Sequence, residues 1–298
     1  KYLVRSVIIS TDFATLYLCS EPDLQIDVAV KVFDLKGAST APDAKYDPQH
    51  WRERFIREAR VLAQFDHPCI VPVRELSEDG EGRPYFVMPY LEANLIYEIG
   101  RDVTDSDEIA RLPESVRPRQ LPPARAVFIL RQILQGLTEV HRRGLVHRDV
   151  KPGNVLLTRK RGGSVKLCDF GVVKFPDWSK SRAGVWLGTL DYIAPEQREN
   201  AAGVDARADV YSAAAVAYRM LSGRLPVGRF GSLTELGLGI PKEFDELLMA
   251  ALAPEKEKRP ADAVEMLDRL DRAWPRAAAP GRTVARVVSI TRKGEPVS

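Results

Sequence analysis

The run His147-Arg148-Asp149-Val150-Lys151-Pro152-Gly153-Asn154 constrains this chain of 298 residues more than any other segment. Asp169-Phe170-Gly171 begins 15 residues after Asn154, and Ala194-Pro195-Glu196 begins 25 residues after Asp169. Five fixed residues in an eight-residue window arise by chance in roughly 1 of 10,000 chains of this length, so the set is read as a unit. A lone Asp or Asn would be read as a turn or a helix cap.

The surroundings of that run differ on its two sides. Val4–Ser10, Thr15–Cys19 and Asp27–Phe33 cluster or alternate β-branched and aromatic residues, which predicts short strands. Between Pro48 and Phe65, Trp51, Phe55, Ala59 and Leu62 recur every three or four residues among Arg and Glu, the pattern of an amphipathic helix. Strand character returns at Val71–Leu76 and Tyr85–Tyr90, separated by the turn-forming Glu78-Asp79-Gly80-Glu81-Gly82. From Pro122 onward helices dominate. Ala124–Arg143 is a helix ending at Gly144, Asp209–Ser222 is apolar on most faces and so buried, and Phe244–Ala253 and Ala261–Trp274 add two more. Gly100–Gln120 lacks periodicity and reads as a surface insertion. Pro275–Gly281 is rich in Ala and Pro, and Ala285–Ser298 has no evident partner, so the end reads as a linker or tail.

Composition narrows the class. Hydrophobic residues at 45% and charged residues at 29% exclude wholesale disorder. No apolar stretch reaches the 18 residues of a membrane span, and KYLVRSVIIS lacks the pattern of a secretion signal. Cys19, Cys69 and Cys168 are an odd number without metal-ligand spacing, which points to a reducing, cytoplasmic setting. A net charge of +3, from 44 basic and 41 acidic residues, does not argue for a nucleic-acid partner.

Together these motifs resemble the Hanks-type (eukaryotic-like) serine/threonine protein kinases, most closely the bacterial ones, over about residues 2–274. The resemblance implies an α+β, two-lobed fold: a small β-rich lobe with one helix (1–90), a larger, mainly helical lobe (91–275) and a tail (276–298). It also implies ATP with Mg²⁺, or Mn²⁺ in its place, in the cleft between the lobes, and protein Ser/Thr hydroxyls as acceptors, this chain's own included. Asp149 would accept the acceptor proton, Lys151 would meet the γ-phosphate, and Asn154 and Asp169 would ligate the metal through hard oxygens. Strand alternation points Ala29 and Lys31 the same way. Lys31 is implied to hold the α/β-phosphates and to pair with a helix glutamate, Glu58 rather than Glu53. Leu16, Ala29 and Leu156 would enclose the adenine, with Met88 and Leu91 at the hinge, where Pro89 lacks an N–H. Leu62, Val73, His147 and Phe170 correspond to a stacked apolar column. Asp209 would hold the catalytic-loop backbone, and Glu196 with Arg259 a buried ion pair. Lys151 and the segment Gly188–Glu196 resemble serine/threonine rather than tyrosine kinases, with Thr189 expected to bond to Asp149 and Lys151. Arg148, Lys174 and Arg54 match a phosphate-gripping cluster, and Ser181 or Ser179 is the expected acceptor within the activation segment, Val185 being unable to serve. Cys168 is read as a small buried hydrophobe.

The chain departs from the family at the loop that covers the phosphates. Ile9, Thr11 and Ala14 stand where glycines are expected. Each lost charge-assisted backbone contact is worth ~1.5–3 kcal/mol, so losing one or two weakens nucleotide binding roughly tenfold to several-thousand-fold. That motivates an alternative, a pseudokinase-like scaffold with weak or absent ATP turnover, although Lys31, Glu58, Asp149, Lys151, Asn154 and Asp169 are all present.

Overall fold

The computed structural model describes residues 1–35, 48–103, 105–160, 162–170, 190–199 and 203–275. The N-terminal strands are β1 (Leu3–Ser10), β2 (Ala14–Glu21), β3 (Ile26–Phe33), β4 (Glu75–Glu78) and β5 (Pro84–Pro89), and helix α1 (Pro48–Leu62) lies between β3 and β4. They form one antiparallel sheet in the order β1-β2-β3-β5-β4. Alternation along β3 separates its two faces. Val28 and Val30 join Cys19 and Val87 in one apolar cluster. Lys31 faces the other way, paired in register with Phe86, and Phe86 and Met88 pack with Trp51, Phe55, Ala59 and Leu62 of α1. The buried stripe of α1 therefore has the three-to-four-residue spacing expected from the sequence.

The expected strand Val71–Leu76 begins only at Glu75. The backbone before it bonds elsewhere: the Val71 N–H donates to Leu167 O at 2.9 Å, and Leu167 N–H donates to Cys69 O at 2.8 Å. Those bonds tie the segment to the second lobe instead of to the sheet.

That lobe contains β6 (Ala93–Asn94), α2 (Ile96–Ile99), α3 (Ser106–Arg111), α4 (Pro123–Arg142), β7 (Val155–Leu157), β8 (Val165–Leu167), α5 (Pro195–Glu199), α6 (Arg207–Ser222), α7 (Lys242–Ala251) and α8 (Ala263–Ala273). Helix α6 is buried from Ala208 to Ser222 and forms the centre, with α4, α7 and α8 packed around it. Helix α4 ends as the sequence suggests: Gly144, at φ +67°, donates its N–H to His141 O at 2.9 Å. The segment Gly100–Gln120 contains α3, capped by the Asp105 carboxylate on the Glu108 N–H at 2.8 Å, a helix its lack of periodicity does not announce. Sheet β6-β7-β8 lies beside the long loop between α4 and β7, which carries Asp149.

Candidate active site

Lys31 joins three elements. Its Nζ lies 2.9 Å from Glu58 Oε1 on α1 and 3.0 Å from Asp169 Oδ1, just past β8. Burial alone would pull the Lys31 pKa down, but the carboxylates of Asp169 and Glu58 raise it above the ordinary lysine value, so the ammonium stays charged. Burial pushes the Glu58 carboxyl up, and Lys31 opposes that shift.

A second polar cluster lies on the loop 147–154. Asn154 Nδ2 donates to Asp149 Oδ2 at 2.8 Å and to Asp149 O at 2.9 Å, and Lys151 Nζ is 3.1 Å from Asp149 Oδ2. The two clusters are tied through the backbone, since the Cys168 N–H donates to Asn154 O at 3.1 Å, one residue before Asp169. Asn154 spends its amide nitrogen on Asp149, which leaves its carbonyl oxygen and the second Asp169 oxygen as hard donors suited to a small divalent cation.

Asp209, fully buried at the start of α6, holds this loop. Its carboxylate accepts the His147 and Arg148 N–H groups, both at 2.7 Å, and lies 2.9 Å from His141 Nε2. His141 Nδ1 accepts the Ala263 N–H at 3.1 Å, so Nε2 carries the proton that Asp209 receives. Burial favours the neutral acid, but these hydrogen bonds hold the Asp209 carboxyl below the usual aspartate range. They sustain a left-handed backbone at Arg148, φ +66°, and Asp169 shares that conformation at φ +53°. Such strain in non-glycine residues gathers where surrounding contacts enforce it.

The apolar residues expected around a nucleotide base lie on one side of these clusters. Leu16, Leu91 and Leu156 pack partly buried against the cluster holding Met88, and Ala29 is opposite Met88 in the β3–β5 register. Leu62, Val73 and Phe170 share that cluster, and the His147 and Phe170 rings are 4.5 Å apart, so the expected column is continuous with it. Cys168 is buried, its thiol pushed well above the ordinary cysteine range by burial, in keeping with a packing role.

The loop between β1 and β2 closes without glycine. Thr11 N–H donates to Ala14 O at 2.9 Å, Thr11 Oγ1 accepts the Ala14 N–H at 3.1 Å, and Phe13 packs on Trp51 at 5.0 Å between ring centroids. Among the described residues, non-glycine positive φ occurs only at Gln25, Arg148 and Asp169, so Ile9, Thr11 and Ala14 bear no left-handed strain.

Glu196 and Arg259 form the expected pair in bidentate form, at 2.8 and 3.0 Å, with the Arg259 side chain fully buried. Arg54 has its pKa lowered by burial and by the nearby charges of Arg148 and Arg57, which places Arg54 and Arg148 close together. Lys174, Ser179, Ser181, Val185 and Thr189 lie outside the described residues. Sequence reasoning missed His141, Asp102, Tyr192 and Arg219. Arg219 had a legible signal: a lone arginine in a helix otherwise apolar on most faces must find a partner.

A sheet lobe and a helical lobe meeting at these two polar clusters define a protein kinase domain. The chain belongs to that family, its residues 5–269 matching the protein kinase domain. It is similar to the serine/threonine-protein kinase PknL of Mycobacterium bovis, 34% identical over 284 residues, which are 89% of this chain and 64% of the relative. It is also similar to the serine/threonine-protein kinase Pkn2 of Myxococcus xanthus, 34% identical over 239 residues, covering 73% of this chain and 27% of the relative. The DNA damage-responsive serine/threonine-protein kinase RqkA of Deinococcus radiodurans is 38% identical over 216 residues, 72% of this chain and 28% of the relative. The chain thus spans under two-thirds of the length of each of these relatives. Among solved structures, the PknI kinase domain of Mycobacterium tuberculosis superposes with a TM-score of 0.62 at 26% identity, over 91% of this chain and 95% of that one.

Proposed function

We propose that this chain transfers the γ-phosphoryl group of Mg·ATP to serine or threonine hydroxyls of proteins, its own included. The observation that carries the reading is Lys31 poised between Glu58 at 2.9 Å and Asp169 at 3.0 Å, with Asp149, Lys151 and Asn154 grouped beside them. Phosphoryl transfer needs positioning and charge neutralisation more than covalent chemistry, and these residues supply both.

In this reading Lys31, oriented by Glu58, holds the α/β-phosphates, while Ala29, Leu16, Leu156, Met88 and Leu91 enclose the adenine. Asn154 and Asp169 would hold Mg²⁺, or Mn²⁺ in its place, which when bound neutralises charge on the phosphates. Asp149 accepts the proton of the acceptor hydroxyl as its oxygen bonds to the γ-phosphorus. The bond from phosphorus to the bridging oxygen breaks and ADP departs, with Lys151 countering the charge on the transferred group. Thr189 bonds to Asp149 and Lys151 and so lines the acceptor side. Phosphate on Ser181 or Ser179 would dock on Arg54, Arg148 and Lys174 and order the segment between them.

The small lobe then comprises residues 1–90 and the large lobe 91–275, with 276–298 as a tail. Among the described residues, no helix is long and apolar enough to cross a membrane. A cytoplasmic location, as a soluble enzyme or as the cytosolic part of a larger protein, fits the three buried free cysteines. The scaffold alternative rests on the glycine-poor loop, and that loop closes without strain.

The test of binding is a thermal melt with and without Mg·ATP. At 100 times Kd a ligand of the native state stabilises by ~2.7 kcal/mol, a rise of several degrees for a domain of this size. A melting temperature unmoved by millimolar Mg·ATP would remove the basis of the proposal.

A further inference from the structure

Arg219 is 1% exposed in the middle of the large lobe, yet it carries a full charge. Its guanidinium Nε donates to Asp102 Oδ1 at 2.7 Å, and its other nitrogens donate to the carbonyls of Ile99, Arg101 and Arg119 at 3.1, 3.1 and 3.2 Å. These carbonyls flank the two ends of the insertion 100–120, so Arg219 closes that insertion as a loop. A second bond shuts the same neck, Arg119 N–H to Ile99 O at 2.7 Å.

The other oxygen of Asp102 has a different partner. Tyr192 Oη donates to Asp102 Oδ2 at 2.8 Å, and Tyr192 is 2% exposed. Tyr192 belongs to the 3-10 turn Leu190–Tyr192, directly before Ala194-Pro195-Glu196. On its far side the same stretch is fixed to the catalytic loop, since Gln197 Nε2 donates to Arg148 O at 3.2 Å. The segment 190–194 is therefore held at one end by the residue next to Asp149 and at the other by Asp102.

We propose that Asp102, charged and oriented by Arg219, is a positioning residue for the protein acceptor. Through Tyr192 it fixes the wall of backbone against which a polypeptide must lie for its hydroxyl to reach Asp149. The insertion 100–120 then serves acceptor docking, and none of the three side chains touches ATP. This role rests on the kinase reading above.

The test compares wild type with Tyr192→Phe, which removes only the hydroxyl, and with Asp102→Asn, which removes the charge. Myelin basic protein serves as the acceptor, and KM is measured separately for it and for ATP. The expected result is a KM for the acceptor raised about fivefold or more, the scale of one hydrogen bond to a charged group, with kcat and the KM for ATP within about twofold of wild type. Acceptor KM left unchanged in Tyr192→Phe would overturn the proposal. A fall in kcat and a rise in both KM values in step with a lower melting temperature would also overturn it, since a merely structural role gives that pattern. Hydrogen exchange on the same variants separates the two layers of the argument. Amides of 191–194 should exchange about tenfold faster in Tyr192→Phe, and unchanged protection would contradict the holding role whatever the activity. A wild-type chain that transfers no phosphate would instead overturn the kinase reading, and the docking role with it.

Discussion

Lys31 of the small lobe and Asp169 of the large lobe are joined by a 3.0 Å ion pair across 138 residues of chain. The same ammonium neutralises Glu58, whose side chain is 3% exposed. One cation therefore stands between two carboxylates and couples the lobes to α1.

Removing that cation leaves Glu58 buried without a partner. Lys31→Met should cost about 3–5 kcal/mol at pH 8, the range for breaking one side of a buried pair. Burial pushes the folded-state pKa of Glu58 up, and without Lys31 nothing opposes that shift. A raised folded pKa contributes stability below the unfolded value and loses it as pH rises through the folded one. The deficit of Lys31→Met relative to wild type should therefore shrink on going from pH 8 to pH 5 in urea titrations. A deficit that grows on acidification would contradict the account.

Asp209 should behave with the opposite sign. Its folded-state pKa lies below the usual aspartate value because three hydrogen bonds favour the carboxylate against the pull of burial. That contribution is present above the unfolded pKa of about 3.9 and is lost as pH falls through the lower, folded value. Asp209→Asn should be destabilised by roughly 2–4 kcal/mol at pH 7, and the gap to wild type should close below about pH 4. Unfolding followed by circular dichroism across that range gives the answer.

Two glycines separate backbone conformation from space. Gly144 has φ +67° and open surroundings, so Gly144→Ala should cost about 1–2 kcal/mol from the left-handed backbone alone. Gly100 has φ +77°, and a Cβ there would sit 1.9 Å from Arg117 O. Its neighbours Ile99 and Arg101 donate their carbonyls to the shell around Arg219, so Gly100→Ala should lower the melting temperature clearly more than Gly144→Ala. Equal shifts would mean that the neck of the insertion is softer than described.

The cysteines should be silent in the native state. Cys19, Cys69 and Cys168 are buried, and burial raises all three thiols above the ordinary value. Iodoacetamide at pH 8 should label none of them within an hour while labelling all three in guanidinium, as read by mass spectrometry. Rapid native labelling of Cys168 would contradict its packing role.

Much of the site was legible because its chemistry is local in sequence. Asp149, Lys151 and Asn154 fall within one short loop, and strand alternation aimed Lys31 correctly before any contact was known. What escaped is long-range. The strand expected at Val71–Leu76 failed because its first residues bond to β8, a partner no local pattern names. Asp102 looked like one more charge in an irregular insertion, and its role depends on Arg219, 117 residues away. The glycine-poor loop was read as a liability from residue type alone, whereas the Thr11 hydroxyl closes the turn with ordinary backbone angles.

The most direct measurement is incorporation of label from γ-³²P-ATP with Mg²⁺ into this chain and into myelin basic protein, for wild type, Asp149→Asn and Lys31→Met side by side. The account predicts phosphate on wild-type reactions and a fall of at least about 100-fold in both variants, the scale of losing a catalytic base or a phosphate-binding cation. Equal incorporation in all three, or none in wild type, would contradict it.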